Sequence, residues 1–417
     1  MKTGINVLGT NPGFLVMNDT YTELFATIHA EYIPYYRSWC HDIPIIVTPQ
    51  RDEELHRLQE LLYRSIVFYA RHFEDYLDLI PYDEKVLRIL EYAQKYPFYA
   101  GTFRPDYVVR DDGALMVCEI TSRFFGNGYF MSYFMEAAGK EFADYANVTD
   151  RKSYFEDFFA YMARLAHGYK KMVVLKSADK SDSIKLYVPF YRALGLEVRI
   201  IEANRVEQEL SSLEDTLIIS ALNQKDLLSY SWNTLKTLID LEIHNDLRTV
   251  FLVHDKRLFS LFFTDSFTAR FLPDNDTLFL RNHLIPTYLY ETDSAIWEDA
   301  ARNKDEYIIK HPSLGKSEQV YAGCLTGNDE WTRLFASGQA YSMILQPFIH
   351  QKVFCAHWQE KELREYLSPS ILCVDDRYFG TALFRTSSCP VINQTDAHKI
   401  APILSSQIYK FQACHIL

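Results

Sequence analysis

The sequence carries no Cys-x-x-Cys pair, no G-x-G-x-x-G, no G-x-x-x-x-G-K-[ST] loop, and no apolar run of the about 18 residues that a membrane span needs. Its seven cysteines (Cys40, Cys118, Cys324, Cys355, Cys373, Cys389 and Cys414) are scattered and odd in number. That excludes zinc or iron–sulfur spacing and a disulfide framework, and several cysteines sit in apolar runs as buried thiols do. G-x-S-x-G, H-E-x-x-H and the kinase signature set are also missing. Basic charge is short as well: 43 Lys and Arg against 55 Asp and Glu give a net charge of −12, with pI about 5.6. A nucleic acid or an anionic membrane surface is therefore not expected as a partner, although a local basic pocket for a small phosphorylated ligand is compatible with that balance. The N-terminal "MKTGINVLGTNPGFLV" lacks a sustained apolar h-region. A soluble, cytoplasmic protein is expected.

What the chain does have is a globular composition, 48% hydrophobic and 24% charged, with 29 Tyr and 28 Phe. At 417 residues it exceeds the size at which one core keeps growing, so two or three subdomains are expected. The first third reads as mainly helical. Leu55, Leu58, Leu62, Ile66, Tyr69 and Phe73 follow the three-and-four spacing of a core-facing stripe, and 83–96 repeats the theme. Residues 104–121, "RPDYVVRDDGALMVCEIT", read as a β-hairpin about an Asp-Asp-Gly turn. A helix-like segment, "MSYFMEAAGKEFADY", and a further amphipathic helix in 151–168 follow. "KKMVVLKS", "LEVRIIEA" and "DTLIIS", separated by helical stretches, predict a small parallel βαβ unit. From about 250 the pattern becomes α+β, with an apolar run at Val250–Val253 and paired strands within 363–393 around Asp375-Asp376.

Three stretches can carry chemistry. In the hairpin, Asp106 and Glu119 come together across the ladder, and Glu119 and Thr121 share a face because strand side chains repeat every two residues. Two carboxylates and a third oxygen suit Mg²⁺, with nucleotide phosphates completing the octahedron, and Arg104 on the same face suits a phosphate oxygen. The competing reading is an exposed hairpin face with a salt bridge. In "EYIIKHPSLGKSEQVYAG" (306–323), Lys310 ends an apolar strand before a turn containing Pro312 and Gly315, which suits a point-charge phosphate contact; Lys256, beyond Val250–Val253, suits a second one. Solvated strand-end lysines are the alternative. "MILQPFI" (343–349) offers an apolar slot with backbone donors and acceptors for an adenine ring at Gln346, Phe348 and Ile349, or simply an edge strand ending at Pro347.

Taken in order, these elements resemble the circularly permuted ATP-grasp ligases, above all the synthetase domain of glutathionylspermidine synthase and, more distantly, eukaryotic-type glutathione synthetase. The likeness runs over roughly residues 85 to 417. The family's metal hairpin reads R-x-D and then E-x-N; here Arg104, Asp106 and Glu119 match, with Thr121 in the asparagine position. Its phosphate loop reads K-P-x-x-G-R-E-G-x-N-V; Lys310 and Gly315 match, Lys316 replaces arginine, the second glycine is lost, and Ser317 (or Glu318, with a shifted deletion) stands for the loop glutamate. "HDKRLFSLF" places Lys256 at the ATP-contacting lysine, Gln346 falls at the hinge glutamine, and "GTALFRTSSCPVIN" places Arg385 on the arginine strand.

The resemblance implies an α+β fold of the circularly permuted ATP-grasp type, with an inserted small parallel α/β subdomain and a helical N-terminal region. The expected divisions are 1–168 (helical region plus metal hairpin), 169–250 (βαβ, on the substrate side) and 251–417 (nucleotide-binding region). It implies an ADP-forming carboxylate–amine ligase with ATP and Mg²⁺, working through an acyl phosphate on a small-molecule acid and amine. Arg104, Lys310 and Arg385 would be catalytic. Lys256, Lys310, Gly315, Lys316, Gln346, Phe348 and Ile349 would hold the nucleotide, and Asp106, Glu119 and Thr121 the metal. Ser122 and Arg123 would bind substrate, Arg123 as a bidentate carboxylate clamp, and the aromatic run Phe124, Phe125, Tyr129 and Phe130 suggests a bulkier substrate than glutathione. The altered loop and Thr121 leave a second expectation open, a weakly active or inactive nucleotide- or peptide-binding protein of the same fold. Neither the oligomeric state nor the identity of the acid and amine follows from the sequence.

Overall fold

The computed structural model describes residues 38–134, 150–178, 184–392, 398–407 and 415–417, apart from positions 43, 151, 185, 242, 316, 360, 382 and 383. Over these residues the chain mixes helix and sheet, in agreement with an α+β class. Strand β1 (Ile45–Val47) leads into the helix Pro49–His72, which opens correctly for its sequence: Thr48 Oγ1 accepts from the Arg51 N–H, Pro49 takes the first position, and Arg71 and His72 end it. The expected stripe is its buried face, with Leu55, Leu58, Leu62, Ile66 and Tyr69 all at 0% exposure. A second helix, Glu84–Ala93, buries Val86, Ile89, Leu90 and Ala93 in the same core.

Strands β2 (Thr102–Val109) and β3 (Leu115–Thr121) form the expected antiparallel hairpin. Gly113 closes its turn at φ +85, a conformation that glycine adopts without steric cost. Of the helix-like stretch that follows, 135–145 lies outside the described residues; the helix Phe155–Leu165 is present. Strands β4 (Lys171–Lys176), β5 (Glu197–Glu202) and β6 (Leu217–Ala221) make a parallel sheet of order β5-β4-β6, as the alternation of strand and helix predicts.

The run at 249–253 differs from its neighbours. Thr249–Val253 is a π-helical turn with all five residues buried, followed by the helix Leu258–Phe262. An unbroken apolar run has no period of its own, so burial on all sides does not distinguish a strand from a short helical segment. Strands β7 (Tyr307–Lys310), β8 (Val320–Ala322) and β9 (Ile344–Pro347) form an antiparallel sheet with β7 in the centre. Next come β10 (Phe354–Trp358), β11 (Lys361–Ser368), β12 (Ile371–Val374), β13 (Arg377–Thr381), β14 (Phe384–Ser387) and β15 (His398–Ile400). Finally β16 (Pro402–Leu404) and β17 (His415–Ile416) flank β1 in parallel.

Two connections build the site. The β12–β13 hairpin extends the sheet of the first third, in the order β13-β12-β2-β3, with Cys373 opposite Phe103. Strands β10-β11-β14-β15 form a separate antiparallel sheet that reaches the same hairpin through β11 and β14. The largest core spans the helix Pro49–His72, this hairpin, and residues 250–284.

Candidate functional site

The β2–β3 ladder sets Asp106 opposite Glu119 and Arg104 opposite Thr121, so the four side chains share one face. A β-bulge keeps them there. The register shifts between Asp106 and Tyr107, leaving Cys118 as the extra residue and pairing Val117 with Tyr107. A regular ladder continued from the turn would set Glu119 opposite Pro105, on the face away from Asp106; the extra residue brings it opposite Asp106 while Val117 and Tyr107 both stay in the core at 0% exposure.

Arg104 grips Asp106 in a fork, Nε to Oδ1 and Nη2 to Oδ2, both at 2.8 Å. Arg385 on β14, 279 residues away, donates from Nη2 to Asp106 Oδ2 at 3.1 Å and to Ser368 Oγ at 3.3 Å. Asp106 is buried beneath these contacts. Glu119 meets the other cations. Its Oε2 lies 3.4 Å from Lys256 Nζ. Burial works against its ionisation, yet Lys256, Lys310 and Arg385 hold its carboxyl well below the usual carboxylate range.

Lys256 is itself buried, and it anchors the loop after β7. Its N–H donates to the Pro312 carbonyl at 2.9 Å and its Nζ to the Leu314 carbonyl at 2.6 Å. Gly315 in that loop lies against Arg123: a Cβ there would sit 2.9 Å from Arg123 Nη2, so the guanidinium would have to shift to admit one. Ser317 and Gln319 take left-handed φ values of 59 and 52. Of the two loop candidates, Ser317 lines the cavity and Glu318 is exposed.

These groups enclose a cavity of about 400 Å³. Arg104, Asp106, Glu119, Thr121, Arg123, Lys310, Gly315, Phe348, Ile349 and Arg385 all line it. Five cationic side chains face two carboxylates there, in a chain whose net charge is −12. The fifth cation, Lys399, was missed by the sequence reading. It lies on β15 opposite Arg385, and burial together with the Arg385 charge pushes its ammonium down to about 8. No local pattern marks it, because it reaches the cavity only through the pairing of β14 with β15.

Other expected residues stand elsewhere. Gln346 turns its side chain away from the cavity wall: it is fully buried, with Nε2 donating to Thr287 Oγ1 at 2.8 Å, and Pro347, Phe348 and Ile349 form the wall instead. Ser122 is buried behind the wall, its Oγ 3.4 Å from the Thr249 carbonyl. Lys316 lies outside the described residues. The aromatic run divides. Phe124 lines the cavity, whereas Phe125, Tyr129 and Phe130 belong to a core with Phe158, Phe159 and Tyr187; Tyr129 stacks on Phe158 at 4.0 Å between centroids. Their size therefore reports packing and not the bulk of a substrate.

Against known proteins, a family model described as the AnkG N-terminal domain matches residues 68–252, which take in the hairpin and the parallel β5-β4-β6 sheet and stop before Lys256. No curated protein matches the chain. No described helix is long and apolar enough to cross a membrane.

Proposed function

We propose that the chain is an ATP-dependent, ADP-forming carboxylate–amine ligase of the circularly permuted ATP-grasp type. The observation that carries this reading is the convergence around one cavity of carboxylates contributed before residue 120 and cations contributed after residue 255. The sequence order of these groups is the one that the ATP-grasp resemblance implies.

The residues suit the reactants. A cavity with surplus positive charge inside an acidic protein favours a polyanion, and Lys310, Lys399 and the N–H groups of Arg385 and Arg104 not engaged by Asp106 suit phosphate oxygens. The apolar wall formed by Pro347, Phe348 and Ile349 suits the face of an adenine ring. For magnesium, Glu119 Oε1 and the free lone pairs of Asp106 Oδ1, with Thr121 Oγ1, form a hard oxygen set.

Bound there, ATP would supply the phosphoryl group that activates an acid, and magnesium held by Asp106, Glu119 and Thr121 would neutralise charge developing during transfer. The chain's own part is positioning. Arg104 and Arg385 fix Asp106, Lys256 fixes both Glu119 and the loop at 312–315, and Arg123 presents a guanidinium to the substrate end of the cavity. A catalytically weak nucleotide-binding protein is the second reading. It is favoured by the two arginines that already occupy Asp106 and by Ser317 in the place of a metal-binding glutamate.

A phosphate-release assay with Mg²⁺-ATP and a panel of acids and amines tests the proposal. Release that requires both an acid and an amine is the expected result. Nucleotide binding with no release across the panel would favour the second reading.

A further inference from the structure

The geometry points to a metal site, separate from the cavity, in which His41, Glu365 and His398 bind one zinc-type divalent ion. The three residues come from segments far apart in sequence: the loop before β1, strand β11 and strand β15. Their ligand atoms all lie within 4.8 Å of one another. His41 and Glu365 are buried, and their contact at 2.9 Å bridges 324 positions of sequence.

The arrangement of donors and acceptors is compatible with a bound cation. His41 Nδ1 lies 3.2 Å from the His357 carbonyl, which can only accept, so Nδ1 carries the proton. In the neutral ring, Nε2 then presents a lone pair to Glu365 Oε2 at 2.9 Å and to Thr386 Oγ1 at 2.8 Å. Thr386 has one hydroxyl proton and already sits 2.5 Å from the same carboxylate oxygen. On the other side His398 Nδ1 approaches Glu365 Oε1 at 2.6 Å. Filling every contact with protons requires an imidazolium at His41 and an Nδ1–H tautomer at His398, whose rings lie 5.6 Å apart between centroids, around a single carboxylate. One divalent ion satisfies both rings in their neutral form together with the carboxylate.

The surroundings match what a metal-bound histidine needs. A backbone carbonyl fixes the far nitrogen of His41, and the Thr386 hydroxyl orients the carboxylate. Two imidazoles and a carboxylate are a recurrent zinc set, with a fourth position for water or a hydroxyl. The location suggests a purpose. Thr386 pairs with His398 one position along from the Arg385–Lys399 pair, so the metal lies on the reverse face of the strands that present Arg385 and Lys399 to the cavity. Metal bound there would fix the two strands relative to the β1 loop.

The test uses the full chain, stripped with chelator and then titrated with Zn²⁺ against a chromophoric competitor. One Zn²⁺ per chain is expected, with affinity falling about 100-fold or more in His41→Ala, His398→Ala and the near-isosteric Glu365→Gln. His357→Ala, whose side chain is exposed, should leave the affinity unchanged because only its carbonyl takes part. X-ray absorption at the zinc edge should give nitrogen and oxygen neighbours and no sulfur, a readout that does not depend on any variant folding. Failure of the wild-type chain to bind Zn²⁺ stoichiometrically would overturn the site. So would sulfur ligation, which would point to the exposed Cys324 or Cys355, or equal affinity in the Glu365→Gln variant.

Discussion

Asp375→Asn should stabilise the protein at alkaline pH and not at acidic pH. Asp375 sits in the β12–β13 turn with a left-handed φ of 50. Its Oδ1 accepts from the Gly101 N–H at 2.9 Å and its own N–H donates to the Gly101 carbonyl at 2.9 Å, so the turn is pinned to the residue before β2. Burial, with the neighbouring Asp376 charge, outweighs the help from Gly101 and Tyr161 and pushes its carboxyl up to about 6 from 3.8. A carboxyl whose pKa is higher in the folded state binds more protons there than in the unfolded chain between those two values. Stability therefore falls as pH rises from about 4 to 6, and the loss is complete above it. The difference corresponds to about 3 kcal/mol at about 1.4 kcal/mol per pKa unit. Partial solvent access at this half-buried residue trims that to about 1–2 kcal/mol. Asparagine keeps the Oδ1 acceptor and tolerates the left-handed backbone. Urea denaturation of both proteins at pH 8 and pH 4.5 is the assay. The variant should gain about 1–2 kcal/mol at pH 8, with most of the gain gone at pH 4.5. An equal gain at both pH values, or a loss at pH 8, would refute the reasoning.

Other perturbations have equally definite outcomes. Gly126→Ala should cost about 3 kcal/mol or more in denaturant melts, because the backbone there is left-handed at φ +67 and a Cβ would lie 1.5 Å from Tyr187 Oη. Tyr187→Phe, which removes the hydroxyl's 2.7 Å bond to the Gly126 carbonyl and its longer 3.4 Å contact with the Phe125 carbonyl, should cost about 1 kcal/mol by the same measurement. Lys256→Met keeps the bulk but frees the loop at 312–315 and unpairs Glu119; limited proteolysis should cut faster within 311–319, and nucleotide affinity should fall about 10-fold or more by calorimetry. Ser317→Gly should raise stability by about 0.5–1 kcal/mol in thermal or urea melts, since glycine adopts a φ of 59 without strain.

What the sequence disclosed follows the range of the interactions. The stripe on the helix Pro49–His72, the Asp-Asp-Gly hairpin and the parallel β5-β4-β6 sheet were legible because each is written in local periodicity or turn chemistry. Arg104, Asp106, Glu119 and Thr121 were placed on one face by alternation alone, although the bulge at Cys118 that preserves this face is invisible in the pattern. The apolar run at Val250–Val253 has no period, so its π-helical turn could not be read. Gln346, Phe125, Tyr129 and Phe130 share the chemistry of binding residues, and only tertiary packing turns them away from the cavity. Lys399 and the His41–Glu365–His398 cluster arise where strands distant in sequence pair, and singly placed residues give no sign of that.

The central claim is that nucleotide phosphates lie among Lys310, Arg385 and the hairpin carboxylates. Equilibrium titration of the full chain with Mg²⁺-ATP tests it most directly, repeated on Lys310→Ala and Arg385→Ala. A charged hydrogen bond of about 1.5–3 kcal/mol predicts saturable binding by the wild type and a 10- to 100-fold weaker constant, roughly, in each variant. Wild-type protein that takes up no nucleotide at millimolar ATP, or variants that bind as tightly as it does, would contradict the account.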